Sequence, residues 1–158
     1  MPLHKFFDSC EQKLERVCRK SGDIKKLRLL LQRNPAVNVN MLTFDRKMSN
    51  GSLLHIAASS DFPEVVEVLI MEGNANPDVK TTDTGNTPLH VAAWMGHVEV
   101  AKALTSPKVL LDKHSVDINA VNAEGFTPLA YCCWAGMLDM CQVRVRRLES
   151  YIYTLLVP

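Results

Sequence analysis

Histidine and cysteine are the residues of this chain with the most chemistry to offer. The sequence holds five of each. His90 and His97 stand seven apart, so one helix and its continuation could bring both imidazoles toward a metal or let one serve as a general base. A zinc site needs four ligands converging tetrahedrally, and no spacing among these residues supplies them. The five cysteines contain no C-x-x-C pair, and their odd number argues for reduced thiols. The chain lacks G-x-x-x-x-G-K-[ST], G-x-G-x-x-G, H-E-x-x-H and G-x-S-x-G. The expectation is a protein with no catalytic site, no metal and no cofactor.

The elements that would position these residues are repetitive. Thr87-Pro88-Leu89-His90-Val91-Ala92-Ala93 recurs upstream as Ser52-Leu53-Leu54-His55-Ile56-Ala57-Ala58 and downstream as Thr127-Pro128-Leu129-Ala130-Tyr131-Cys132-Cys133. From His55 to His90 is 35 residues, and from Leu89 to Leu129 is 40. A period of roughly 33 residues predicts a solenoid of stacked helical hairpins. In the middle copy Thr87 is placed to cap a helix and Pro88 follows at its first position. Leu89, Ala92 and Ala93 share one face, and Gly96 suits a left-handed stop. Val98, Val100, Ala101 and Leu104 then read as a second helix. In the upstream copy Val65, Val66, Val68, Leu69 and Ile70 supply that helix, with Gly73 as its expected stop. In the downstream copy the histidine is replaced by Ala130, and Arg144 stands where the middle copy has Leu104.

These words resemble the ankyrin repeat, whose signature is T-P-L-H-x-A. The resemblance implies an all-α, ankyrin-like solenoid of stacked helix-turn-helix repeats with short β-turn fingers. Residues 10–40 would be a degenerate N-terminal capping repeat, 47–81 one repeat, 82–121 a repeat with an insertion, 122–143 a partial repeat, and 144–158 a divergent tail. The insertion, within Thr105 to Ser115, is either a tolerated loop or a partner contact. The apolar tail from Tyr151 to Val157 either folds over the last repeat or marks a chain cut from a longer array.

The resemblance further implies that His55 and His90 tie their rings into the turn and the neighbouring repeat. It implies a comb of partner contacts: two residues before the finger Gly, one after it, and two after the paired alanines. In the middle repeat these are Asp83, Thr84, Asn86, Trp94 and Met95. In the third they are Ala123, Glu124, Phe126, Trp134 and Ala135, and in the first Met48, Ser49, Gly51, Ser59 and Ser60. Both tryptophans of the chain fall in the same slot of adjacent repeats, and neighbouring helices lie about 8–10 Å apart, so the rings are expected side by side. The partner-binding residues expected are Asp83, Thr84, Asn86, Trp94, Met95, Glu124, Phe126 and Trp134. The competing reading folds the rings down onto the stack or against the C-terminal tail. Members of the family are also substrates for asparaginyl hydroxylation, with a leucine eight residues and an acid two residues before the target. Leu111 and Asp117 stand so before Asn119.

The function expected is non-catalytic protein binding, as a scaffold, adaptor or inhibitor, by a cytoplasmic or nuclear monomer. The first alternative is a regulatory or targeting segment of a longer enzyme or channel. The second uses charge. Residues 1–34 hold nine Lys/Arg against four Asp/Glu, a surplus of five, whereas residues 35–142 hold six against twelve, a deficit of six. The basic end could touch nucleic acid, but its cations alternate with core positions, and a solvated cap face is the reading preferred. The longest apolar run falls far short of the ~18 residues that span a bilayer, so no membrane insertion is expected.

Overall fold

The structure, a computed structural model, describes residues 9–41, 51–106, 116–134 and 136. The tail, the helix expected from Leu138 with Arg144, the insertion from Pro107 to Ser115 with Leu111, and the positions of Met48, Ser49 and Ala135 lie outside the described residues. Among the described residues there are seven α-helices and no strand.

The first pair is α1 (Cys10–Arg16) and α2 (Ile24–Arg33). Ser9 opens α1 through a reciprocal capping box: its hydroxyl accepts the Gln12 N–H at 3.2 Å, and its own N–H donates to Gln12 Oε1 at 3.1 Å. A π-helical turn, Val17–Ser21, carries α1 on to Gly22, which turns the chain at φ 57°. A methyl group there would be strained and would meet the Phe62 ring at 2.8 Å, so both backbone and packing demand glycine. Asp23 caps α2 by accepting the Lys26 N–H at 3.0 Å.

Three copies of the histidine-bearing word, or its relic, open the next helices: α3 (Leu53–Ser59), α5 (Pro88–Met95) and α7 (Pro128–Trp134). Returning helices α4 (Pro63–Met71) and α6 (Val98–Leu104) complete two hairpins. Gly96 ends α5 in the left-handed region at φ 74°, and Asp61 adopts φ 55° at the matching point after α3. At the end of α4 the left-handed residue is Asn74, at φ 55°, rather than the expected Gly73. Gly73 is required for a different reason: a Cβ there would lie 2.7 Å from the Leu69 carbonyl oxygen.

The helices form two layers. The extended α1, then α3, α5 and α7 stack in one, and α2, α4 and α6 in the other. Ala57, Ala58, Ala92 and Ala93 are fully buried where the layers meet, and their small size permits close approach. Leu54, Ile56, Val65, Val66, Leu69, Ile70, Val100 and Leu104 fill the continuous core between them.

A polar ladder joins the repeats at the connecting turns. Asn40 Oδ1 accepts the Asn76 N–H at 2.7 Å, and the Asp78 carboxylate accepts the Asp117 N–H at 3.0 Å. Within each turn the first Asx side chain accepts from the residue two further on, in Asn38 to Asn40, Asn76 to Asp78 and Asp117 to Asn119. Asn and Asp suit this role because their short side chains mimic backbone acceptors. Burial raises the Asp78 carboxyl above its ordinary range, despite the Asp117 amide that favours its charged form.

Candidate partner-binding surface

Each T-P-L-H word builds one joint between repeats. Thr87 and His90 close a capping box at the start of α5: Thr87 donates its N–H to His90 Nδ1 at 3.2 Å, and its hydroxyl lies 2.9 Å from the same atom. On the far side of the ring, His90 Nε2 lies 2.9 Å from the Phe126 carbonyl oxygen. A carbonyl only accepts, so Nε2 carries the proton and Nδ1 is the acceptor. Ser52 and His55 repeat the arrangement one hairpin earlier, with Ser52 N–H to Nδ1 at 3.0 Å and Nε2 to the Asn86 carbonyl at 2.9 Å. Both rings are buried, and desolvation lowers both pKa values from the ordinary 6.5, that of His55 to about 4. His97 faces elsewhere, with Nδ1 3.6 Å from Asp61 and Nε2 3.4 Å from the Ser59 carbonyl. Among the described residues no three His, Cys, Asp or Glu side chains gather as a metal set.

The histidine-bound carbonyls belong to the fingers. Thr81 N–H donates to the Asn86 carbonyl at 2.9 Å, and Asn122 N–H to the Phe126 carbonyl at 3.0 Å, so each carbonyl closes its own finger and receives the preceding histidine. The fingers also join each other, through Ala123 N–H to the Thr84 carbonyl at 2.9 Å and Asn122 Nδ2 to Asn86 Oδ1 at 2.9 Å. Gly85, at φ 63°, lies where an added Cβ would touch the Ala123 amide at 3.0 Å. Thr84 and Asn86 therefore spend side-chain atoms within the scaffold, Thr84 on Thr81 at 2.8 Å, while Asp83 is exposed at the finger tip. In the first repeat the expected contact Gly51 is buried, and an added Cβ there would meet that of His55 at 2.7 Å.

Beside the fingers the chain gathers its aromatics. The Trp94 and Trp134 rings stack at 5.2 Å between centroids and 20° between planes. They nevertheless stay open to solvent, Trp94 at 43% and Trp134 at 70% exposure, and Met95 and Phe126 are also exposed. Tyr131 stands edge-on to Trp94 at 5.5 Å and 86° and to His90 at 5.9 Å, with Phe126 tilted against it at 5.5 Å. The Tyr131 hydroxyl donates to Glu124 Oε2 at 3.1 Å and receives Asn122 Nδ2 at 3.3 Å. Burial and the Glu124 carboxylate both raise the phenol's pKa. Trp94, Glu124, Phe126, Tyr131 and Trp134 line a half-open cleft of about 360 Å³.

Tyr131 is the hub that sequence reasoning passed over. It fills the slot of Ile56 and Val91, and its only sequence signal is an aromatic where the other copies hold a β-branched residue. Asn119 lies apart from the cleft, exposed in the Asp117 to Ala120 turn, its N–H on Asp117 Oδ1 at 2.9 Å.

A family model described as ankyrin repeats, in three copies, matches residues 14–109. The chain is similar to the glycerophosphocholine phosphodiesterase GDE1 of Candida albicans, 28% identical over 116 residues, which cover 73% of this chain and 9% of that protein. It is similar to NF-kappa-B inhibitor alpha of Sus scrofa, 33% identical over 92 residues, 58% of this chain and 28% of that protein. Its identity to NF-kappa-B inhibitor zeta of Homo sapiens is 38% over 87 residues, 54% of this chain and 12% of that protein. The match thus spans less than a third of each of these relatives.

Proposed function

The chain belongs to the ankyrin-repeat family, and we propose that it is a non-catalytic binding module whose partner protein docks on the face carrying Trp94 and Trp134. Ankyrin repeats are protein-interaction modules. The observation that carries the choice of face is the exposed tryptophan stack over its cleft, flanked by Met95, Phe126 and Glu124, with Asp83, Thr84 and Asn86 on the adjoining finger. Tryptophan and methionine are enriched at interface cores, and a tryptophan hot spot contributes about 2 kcal/mol or more. The expected result is that Trp94→Ala with Trp134→Ala lowers partner affinity by roughly thirtyfold or more. Capture from cell lysate, with circular dichroism to check the variant's fold, measures it. Undiminished capture by a folded double variant would sink this choice of face.

A second reading, a regulatory or targeting segment of a longer enzyme or channel, is favoured by the similarity to GDE1, of which the match covers 9%. We infer a cytoplasmic or nuclear setting for either role from the odd number of cysteines without a C-x-x-C pair, which suits reduced thiols. Among the described residues no helix is long and apolar enough to cross a membrane. Asn119 is proposed as a hydroxylation site, supported by the exposure of its turn. The peptide containing it should gain the mass of one oxygen atom in the native host, and its absence under ample oxygen would end that proposal.

A further inference from the structure

Helix α2 carries charges that do not serve the helix itself. Its first turn holds Lys25 and Lys26, beside the partial positive charge of a helix N-terminus, where acids stabilise and cations do not. No residue of α2 is acidic, so no ion pair between successive turns of the helix offsets them. The cap Asp23 already engages the Lys26 N–H at 3.0 Å. Cations that serve the fold meet carboxylates: Arg28 reaches Glu72 of α4 at 2.8 Å, and Arg19 holds Glu15 at 2.8 Å. Among the described residues no carboxylate is in ion-pair contact with Lys25, Lys26 or Arg33. Side chains that break a local rule in this way point to a task outside their own helix.

Their arrangement narrows that task. Leu29 of α2 is 44% exposed. An exposed leucine is ordinary by itself. Lys25, Lys26 and Arg33, however, stand four, three and four residues from it, the separations at which helix side chains are neighbours, and all three are exposed. An apolar tip is thus ringed by cations. Lys13, Arg16 and Lys20 are exposed on the neighbouring α1 and its π-helical turn. The α1 segment packs on α3 and α2 packs on α4, so the open faces of both helices look away from the following repeat. Residues 1–34 hold nine Lys/Arg against four Asp/Glu, and residues 35–142 hold six against twelve. A negatively charged plane therefore attracts this end of the stack and repels its body, which orients the molecule. Nucleic acid also offers phosphates, but residues 10–33 hold no aromatic ring on which a base could stack, and a phosphate backbone gives Leu29 nothing apolar to enter. The surface of an anionic bilayer offers both charge and an apolar layer.

We propose that the N-terminal helix pair adsorbs to an anionic membrane surface, with Lys25, Lys26 and Arg33 on the lipid headgroup anions and Leu29 entering the layer beneath them. The contact lies on the surface and crosses nothing. Each cation held near such a surface strengthens binding about fivefold. Leu29 adds several-fold through the apolar area it removes from water. The attraction is screened over a Debye length of about 10 Å at 0.1 M salt. Trp94 and Trp134 sit on α5 and α7, so membrane and partner protein occupy different helices.

The intact chain is sedimented with vesicles of phosphatidylcholine containing one-third phosphatidylserine, and with vesicles of phosphatidylcholine alone. The expected result is binding to the anionic vesicles at least about a hundredfold tighter than to the neutral ones, released by raising the salt. The triple variant Lys25→Gln, Lys26→Gln, Arg33→Gln should lose on the order of a hundredfold, and Leu29→Ser several-fold. All four side chains are exposed, so thermal melts of both variants should match the parent. Trp94→Ala with Trp134→Ala should bind the vesicles as the parent does, which separates this surface from the docking face. Failure of the parent to sediment with anionic vesicles, or undiminished binding by the triple variant, would overturn the proposal. Tighter binding to a nonspecific DNA duplex than to the vesicles, unaffected by Leu29→Ser, would overturn it in favour of nucleic acid.

Discussion

Replacing His55 with alanine is expected to destabilise the fold by on the order of 3 kcal/mol, lowering the melting temperature by roughly 10 °C. The ring is fully buried and joins two repeats through two atoms. Its loss strands the Ser52 N–H, a buried donor, and such a group costs about 1–3 kcal/mol. The Asn86 carbonyl fares better, because the Thr81 N–H still donates to it. The space left by the ring adds a cavity cost, since neighbouring core atoms relax only in part. With total stability of about 5–15 kcal/mol for a domain, the variant should remain folded at room temperature but with little margin. His90→Ala removes the equivalent joint to the third finger and should act in the same direction. Thermal melts followed by circular dichroism at pH 7.5 decide it, and a His55→Ala midpoint within about 2 °C of the parent would mean the joint carries little.

The legibility of these joints in the sequence has a physical basis. Ser or Thr before a helix, proline at its first turn and histidine three residues after the cap act within four residues of one another, so local chemistry exposes them. The matched slots of Trp94 and Trp134 were legible for a related reason: a repeat places equal positions at equal heights, and the rings stack at 5.2 Å. What escaped notice depends on contacts between repeats. Tyr131 occupies a slot that Val91 and Ile56 fill with aliphatic groups, and only the packing of α5 against α7 turns it edge-on to Trp94 and under Glu124. The Asn40, Asn76, Asp78 and Asp117 ladder likewise couples turns 36 and 39 residues apart. The resemblance counts Gly51 among the partner contacts, which are surface positions. Here the glycine instead lies against the buried ring of His55.

Acid should weaken this fold before its carboxylates titrate as a group, and the cause is again the histidine joints. His55 has an ordinary pKa of 6.5 and a folded value of about 4, because burial disfavours the charged ring. Protonation would also set a donor at Nδ1 against the Ser52 N–H that now donates to it. Between about pH 6.5 and pH 4 the unfolded chain binds a proton that the folded chain refuses. Stability therefore falls as pH falls through that window, and the His55 contribution is lost by about pH 4, below which both states are protonated. At about 1.36 kcal/mol per unit, His55 alone accounts for roughly 3 kcal/mol. His90, lowered in the same direction, adds to the slope. Asp78 opposes it above its ordinary 3.8, since burial lets the folded chain bind that proton first. Urea unfolding at a series of pH values from 7.5 to 4.5 should show a flat region above about pH 7 and a steady decline beneath it. Ring resonances followed by NMR over the same range assign the effect. A His55 resonance titrating near 6.5, or equal stability at pH 7.5 and pH 5, would show that the ring is not held neutral between the repeats.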